Sequence, residues 1–151
     1  MRIAVACLAL LVVLGFPGCE DDSGGKSKGS FVEQADVVCS EAEYQISQFP
    51  RPLDPNDPLQ LAGFLERAVP VAQKQNTELK KLERPPEQRA QIDELIASLD
   101  AEVDAAERML AAAKREDRET ISQLLSQSGA ANAQSKRLAD GLDLAVCGGG
   151  N

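Results

Sequence analysis

Three features of the sequence predict an all-α fold, an antiparallel four-helix bundle with one disulfide-tied C-terminal tail. Apolar residues recur at spacings of three and four over four separate stretches, as one face of a helix requires. No stretch alternates with period two over the length of a strand, and β-branched residues are sparse beyond the first twenty positions. Each stretch is bounded by capping residues or prolines.

The chain begins with a segment that is an address and not part of the fold. Arg2 is the only charge before Glu20, and the fourteen residues Ile3 to Phe16 are apolar or Gly. A membrane-spanning helix needs about twenty such residues, so the run reads as the apolar core of a secretory signal, residues 1–18. Pro17-Gly18 ends it and Cys19 follows. A small residue before a Cys at this place resembles the lipobox of bacterial lipoproteins. In that family the Cys is acylated on sulfur and becomes the first mature residue. Gly18 fits the pattern, and Phe16 and Pro17 depart from it. The resemblance implies lipidation at Cys19 and anchoring on the outer face of the cytoplasmic membrane. Removal of residues 1–18 takes Arg2 with it, so the mature chain is one unit more negative than the formal -8 of the whole. Residues 19–30 then form a tether, because Gly, Ser and charge offer nothing to a core. Its acidic run Glu20 to Asp22 reads as solvated spacer, since adjacent carboxylates on flexible chain hold no fixed metal geometry.

The helical domain covers residues 31–147. Ser30 with Glu33 has the capping-box spacing, and Val32, Ala35, Cys39, Ala42, Ile46 and Phe49 continue on one face until Pro50 and Pro52. The second helix starts at Asp57 as cap with Pro58 at the first position and Gln60 at the third. Its stripe is Leu61, Leu65, Ala68, Ala72, Gln75, Leu79 and Leu82. Pro70 lies inside that stripe without changing its phase, which predicts a bend and no break. Pro85-Pro86 separates the second helix from the third, whose stripe is Ile92, Ile96, Leu99, Val103, Ala106, Leu110 and Ala113. Asp117 caps the fourth, with Ile121, Leu124, Leu125, Ser128, Ala131, Ser135 and Leu138 facing inward and Gly141 as its stop. Helices of roughly 18–29 residues are about 27–43 Å long at 1.5 Å per residue. Short loops between them make neighbours antiparallel. The small Ser and Ala positions of the fourth helix predict either close packing or a narrow cavity.

Cysteine parity then predicts the tail. With Cys7 removed in the signal and Cys19 acylated, as the lipobox resemblance implies, Cys39 and Cys147 remain as one pair in an oxidising compartment. Their bond would lay residues 142–147 as an extended segment on the outside of the first helix. It would close a loop of about a hundred residues, worth up to ~4.7 kcal/mol on chain entropy. Residues 148–151 read as a flexible end. Ala35-Asp36-x-x-Cys39, Ala68-Val69-Pro70, Leu79-x-x-Leu82-x-x-Pro85 and Ala139-x-Gly141-Leu142 leading to Cys147-Gly148 resemble small secreted or lipidated helical proteins of high-GC Gram-positive bacteria. That resemblance implies the fold and the disulfide and carries over no catalytic residue.

The chemistry the residues exclude is broad. There is no His, which removes Ser-His-Asp and Cys-His catalysis, His-containing zinc sites and the Glu-x-x-His pairs of di-metal bundles. One Met remains beyond the signal, Met109, too few for a thioether metal carrier. An acidic chain with isoelectric point near 4.6 has no basic face for nucleic acid. Asp54-Pro55-Asn56-Asp57 lacks the length, Gly and terminal Glu of a calcium loop and reads as a turn. Asp93, Glu94, Asp100, Glu102, Asp104 and Glu107 mostly lie off the third stripe and read as a solvated face, with no buried carboxylate expected. Gln75, Tyr44 and Asn132 read as polar groups near the core with structural hydrogen bonds. These features predict no catalytic residues, no metal, no cofactor and no nucleic-acid partner. They predict a non-enzymatic interaction module held to the membrane by the lipid at Cys19, with an envelope protein or a small ligand as the open choice of partner. A cavity between helices for a small apolar ligand is the alternative, and a carboxylate-only enzyme the third reading.

Overall fold

The structure is a computed structural model and describes residues 30–147. The signal, Cys19, the tether up to residue 29 and the tail 148–151 lie outside the described residues. Four helices follow in order: α1 Phe31–Ser47, α2 Pro58–Lys81, α3 Arg89–Lys114 and α4 Arg118–Asp140. Among the described residues there is no strand. Each helix packs along the next in the chain, and α1 has no extended contact with α4.

The starts of α1, α2 and α4 follow the capping chemistry, whereas α3 begins after Gln88 without a side-chain cap. Ser30 Oγ accepts the Glu33 N–H while Glu33 Oε2 accepts the Ser30 N–H, a complete capping box. Asp57 accepts the N–H groups of Leu59 and Gln60, and the Gln60 side chain donates back to Asp57 at 2.8 Å. Gln60 Oε1 also accepts the Leu53 N–H, which holds the linker against the first turn of α2. Asp54 accepts the Asn56 N–H at 2.8 Å, so the Asp-Pro-Asn-Asp segment is a turn. Asp117 accepts the Thr120 N–H and hydroxyl. α2 runs unbroken through Pro70, whose exposed ring leaves Ala68 and Val69 buried. The chain therefore has four helices and not five.

The end of α4 departs from the expectation of a glycine stop. Gly141 keeps a right-handed helical conformation, φ -67° and ψ -16°. The left-handed residue is Asp143, φ 59°. The Leu144 N–H reaches the Ala139 carbonyl and the Asp143 N–H the Asp140 carbonyl, the Schellman pattern. The end of α3 repeats it: Glu116 has φ 55°, the Asp117 N–H reaches Ala112 and the Glu116 N–H reaches Ala113. Asp117 thus closes α3 and caps α4 at once, which sets the sharp reversal between them.

The core is divided in two along the bundle. One half gathers Phe31, Ala35, Cys39, Leu79, Ile92, Leu95, Ile96, Leu99 and Ala139 with Leu142, Leu144 and Cys147. The other gathers Leu61, Leu65, Val69, Met109, Ala112, Ala113, Ile121 and Leu124. The first contains all four helices and the second only α2, α3 and α4, because α1 stops at Ser47. Leu95, Met109 and Ala112 of α3 are buried beside the expected stripe, so α3 presents two adjoining faces. That follows from its place in the chain of contacts, between α2 and α4.

Cys39 and Cys147 are disulfide-bonded across a separation of 108 residues, Cα to Cα 5.2 Å. The tail does not lie extended on the outside of α1. Leu142, Leu144 and Cys147 are buried in the core, and the segment runs through turns. The physical reason is that the tail fills the seam that α1 and α4 leave between them, and apolar side chains are favoured there. Asp36 accepts the N–H groups of Ala145 at 3.0 Å and Val146 at 3.1 Å, which satisfies the backbone of a segment without a partner strand.

Candidate functional site

The tail closes the α1–α4 seam at one end only. Beside the tail lie two compartments that share Glu102, an inner one bounded by α1, α2, α3 and the tail and an outer one bounded by α2, α3 and α4. The inner one, about 270 Å³, lies beneath the C-terminal turn of α1, between Ile46, Gln75, Leu99 and Val146. The outer one, about 360 Å³, is walled by Leu61, Phe64 and Leu65 of α2, floored by Ala105 and Met109 of α3, and closed by Leu125 and Ser128 of α4. Its size is that of a small-ligand site, and its lining is mostly apolar.

Glu102 borders both compartments. It is half-buried, which corrects its assignment to a solvated face; Asp93, Glu94, Asp104 and Glu107 are exposed as expected. Asp100 is also half-buried and accepts from Asn76 at 3.1 Å and Lys80 at 2.9 Å. The Ser135 hydroxyl donates to Glu102 Oε1. Ser98 lies 2.7 Å from Ser135, and because a hydroxyl has one proton, Ser98 is the donor to Ser135. Glu102 therefore ends a chain of two hydroxyls that crosses from α3 to α4 and back. No Lys or Arg pairs with it among the described residues. Ser135 is wholly buried and faces the packed interior, whereas Ser128 and Ala131 line the outer compartment. The small positions of α4 thus do both things expected of them, at different levels.

Other expected positions fall as follows. Gln75 is half-buried and donates to the Cys39 sulfur at 3.3 Å. Tyr44 is 68% exposed, so it is not near the core. Asn132 is exposed at the rim of the outer compartment. The buried amide is Asn76, adjacent to the one expected. Among the described residues no three Asp, Glu or Cys side chains converge as a metal site would require, and no helix is long and apolar enough to cross a membrane.

Comparison with family models, curated proteins and solved structures finds no match to this chain. Two signals in the sequence point to the site. Leu95, Glu102 and Met109 recur every seven residues beside the main α3 stripe, with a carboxylate at the centre. The sixteen positions from Thr120 to Ser135 on α4 carry no charge, and the groove opens along that stretch.

Proposed function

We propose that this protein is a non-enzymatic binding lipoprotein, anchored through Cys19 on the outer face of the cytoplasmic membrane, that holds a small apolar ligand in the α2–α3–α4 groove. The groove is the observation that carries the binding role. Leu61, Leu65 and Met109 are packed into the α2–α3–α4 core and Phe64 is half-buried at its edge; α1 is too short to reach this level, and an apolar trough of about 360 Å³ lies beside them. Its volume of about 360 Å³ falls in the range of small-molecule pockets, roughly 300–1,000 Å³, which favours a small molecule over a protein partner. The anchor rests on the lipobox-like residues before Cys19 and on cysteine parity.

The test of the groove is a neutral fluorescent probe, N-phenyl-1-naphthylamine, against the full mature chain. Gly129 lies at the rim, and a side chain built there meets nothing within 4 Å. Gly129→Trp therefore fills the opening without disturbing the core. Probe fluorescence should rise with the wild-type protein and not with Gly129→Trp, at equal helicity by circular dichroism. Equal binding by both proteins would remove the groove from the function. Mass analysis of the mature N-terminus tests the anchor; an unmodified Cys19 would refute it.

A further inference from the structure

We propose that the ligand of this groove is a cationic amphiphile whose alkyl chain lies between Leu65 and Met109 and whose ammonium head meets the Glu102 carboxylate. The proposal rests on the groove reading above and adds the chemistry of the head group. Its basis is a mismatch within the trough. The outer compartment is apolar except for rim amides and hydroxyls, and Glu102 is the only charged residue bordering it. The carboxylate is half-buried, accepts the Ser135 hydroxyl and has no Lys or Arg partner among the described residues.

A partly desolvated charge gains most from a counter-charge brought to it. The Ser98 and Ser135 hydroxyls stabilise one face of Glu102 through Oε1 and leave Oε2 for a ligand. Across the junction, the inner compartment adds Glu43 and Arg51, and among the described residues Arg51 forms no ion pair with either carboxylate. The charges around the junction sum to negative, so a cationic head is favoured and an anionic head repelled. A neutral hydroxyl head would gain a hydrogen bond to Glu102 without the charge.

The experiment displaces the neutral probe with three molecules of one chain length, dodecylamine, dodecanol and dodecanoate, below micelle-forming concentrations at about 0.15 M salt. Dodecylamine should displace at the lowest concentration and dodecanoate at the highest. Glu102→Gln should weaken dodecylamine about tenfold, as expected for one hydrogen bond to a charged group, and leave dodecanol within about twofold. The overall acidity of the chain attracts any cation, so Glu94→Gln is the control. It removes the same charge from an exposed position of α3 outside the groove and should leave all three unchanged. Equal displacement by amine and carboxylate, or an amine preference that survives Glu102→Gln, overturns the proposal while the groove stands. Absence of probe binding to the wild type, or a concentration-dependent dimer that excludes the probe, overturns the groove reading itself.

Discussion

Two residues hold a backbone conformation their side chains do not favour. Glu116 and Asp143 sit at φ 55° and 59°, where a Cβ crowds the following carbonyl. Asp tolerates this region better than Glu. Glu116→Gly should therefore stabilise the fold by about 0.5–1 kcal/mol, the relief of strain less the extra freedom of Gly in the unfolded chain, and Asp143→Gly should gain less. Urea denaturation of the two variants checks the order. The cap carboxylates set a pH dependence. Asp57 is held below its usual value chiefly by the Gln60 side chain and N–H, and Asp117 by the Thr120 N–H and hydroxyl. On acidification the unfolded chain binds these protons first, near the ordinary value of 3.8. The stabilisation is then complete above that value and is lost as pH falls through the lower folded values. The urea midpoint should fall below about pH 4, and Asp57→Asn with Asp117→Asn should flatten that fall, since Asn caps without titrating. Both caps were legible in the sequence because a cap depends only on residues within one turn. The left-handed positions were not, because Gly141 offered the cheaper stop and tail packing placed the turn two residues later.

At the scale of the helix, the instructive element is α2. Pro70 removes one backbone donor, yet the helix continues because its apolar stripe stays in phase on both sides and each half packs on α3. Packing outweighs local propensity here. The ring is exposed, so it contributes little to the core. Pro70→Ala should restore the hydrogen bond and stabilise the protein by roughly 1–3 kcal/mol, up to the propensity difference between the residues; a loss of stability would mean that the bend itself aligns α2 with its neighbours. Helix α4 shows the limit of periodicity. Ser128, Ala131 and Ser135 lie on one stripe, and the sequence alone cannot tell which of them meets Ser98 and which meets open groove. That depends on how far α1 extends, and α1 belongs to another part of the chain.

For the whole molecule, the decisive feature is that α1 and α4 do not pack along each other. Their seam is closed at one end by the tail, through the Cys39–Cys147 bond and the two N–H groups on Asp36, and is open at the other. Cys147→Ser should cost about 2–5 kcal/mol, the usual range for a native disulfide in a small secreted domain. The loss should be uneven. Hydrogen exchange in Cys147→Ser should quicken in α1 and the tail, which depend on the clamp, and change little around Ile121 and Leu124, whose core lacks α1. Uniform exchange along all four helices would show instead that the two cores unfold as one. Helix number, the capped starts of α1, α2 and α4, the continuous α2 and the disulfide pairing are legible in the linear chain, since capping, periodicity of 3.6 and cysteine parity are properties of neighbouring residues or of simple counts. Glu102 shows what only the tertiary structure decided. In the sequence it is one acidic residue among six on α3. Its partial burial, its hydroxyl partners and its place beside an apolar trough arise because α1 is six or more residues shorter than each of the other helices and does not reach the α2–α3–α4 core. Burial is set by what lies across the bundle, and a linear pattern records only which face a residue is on.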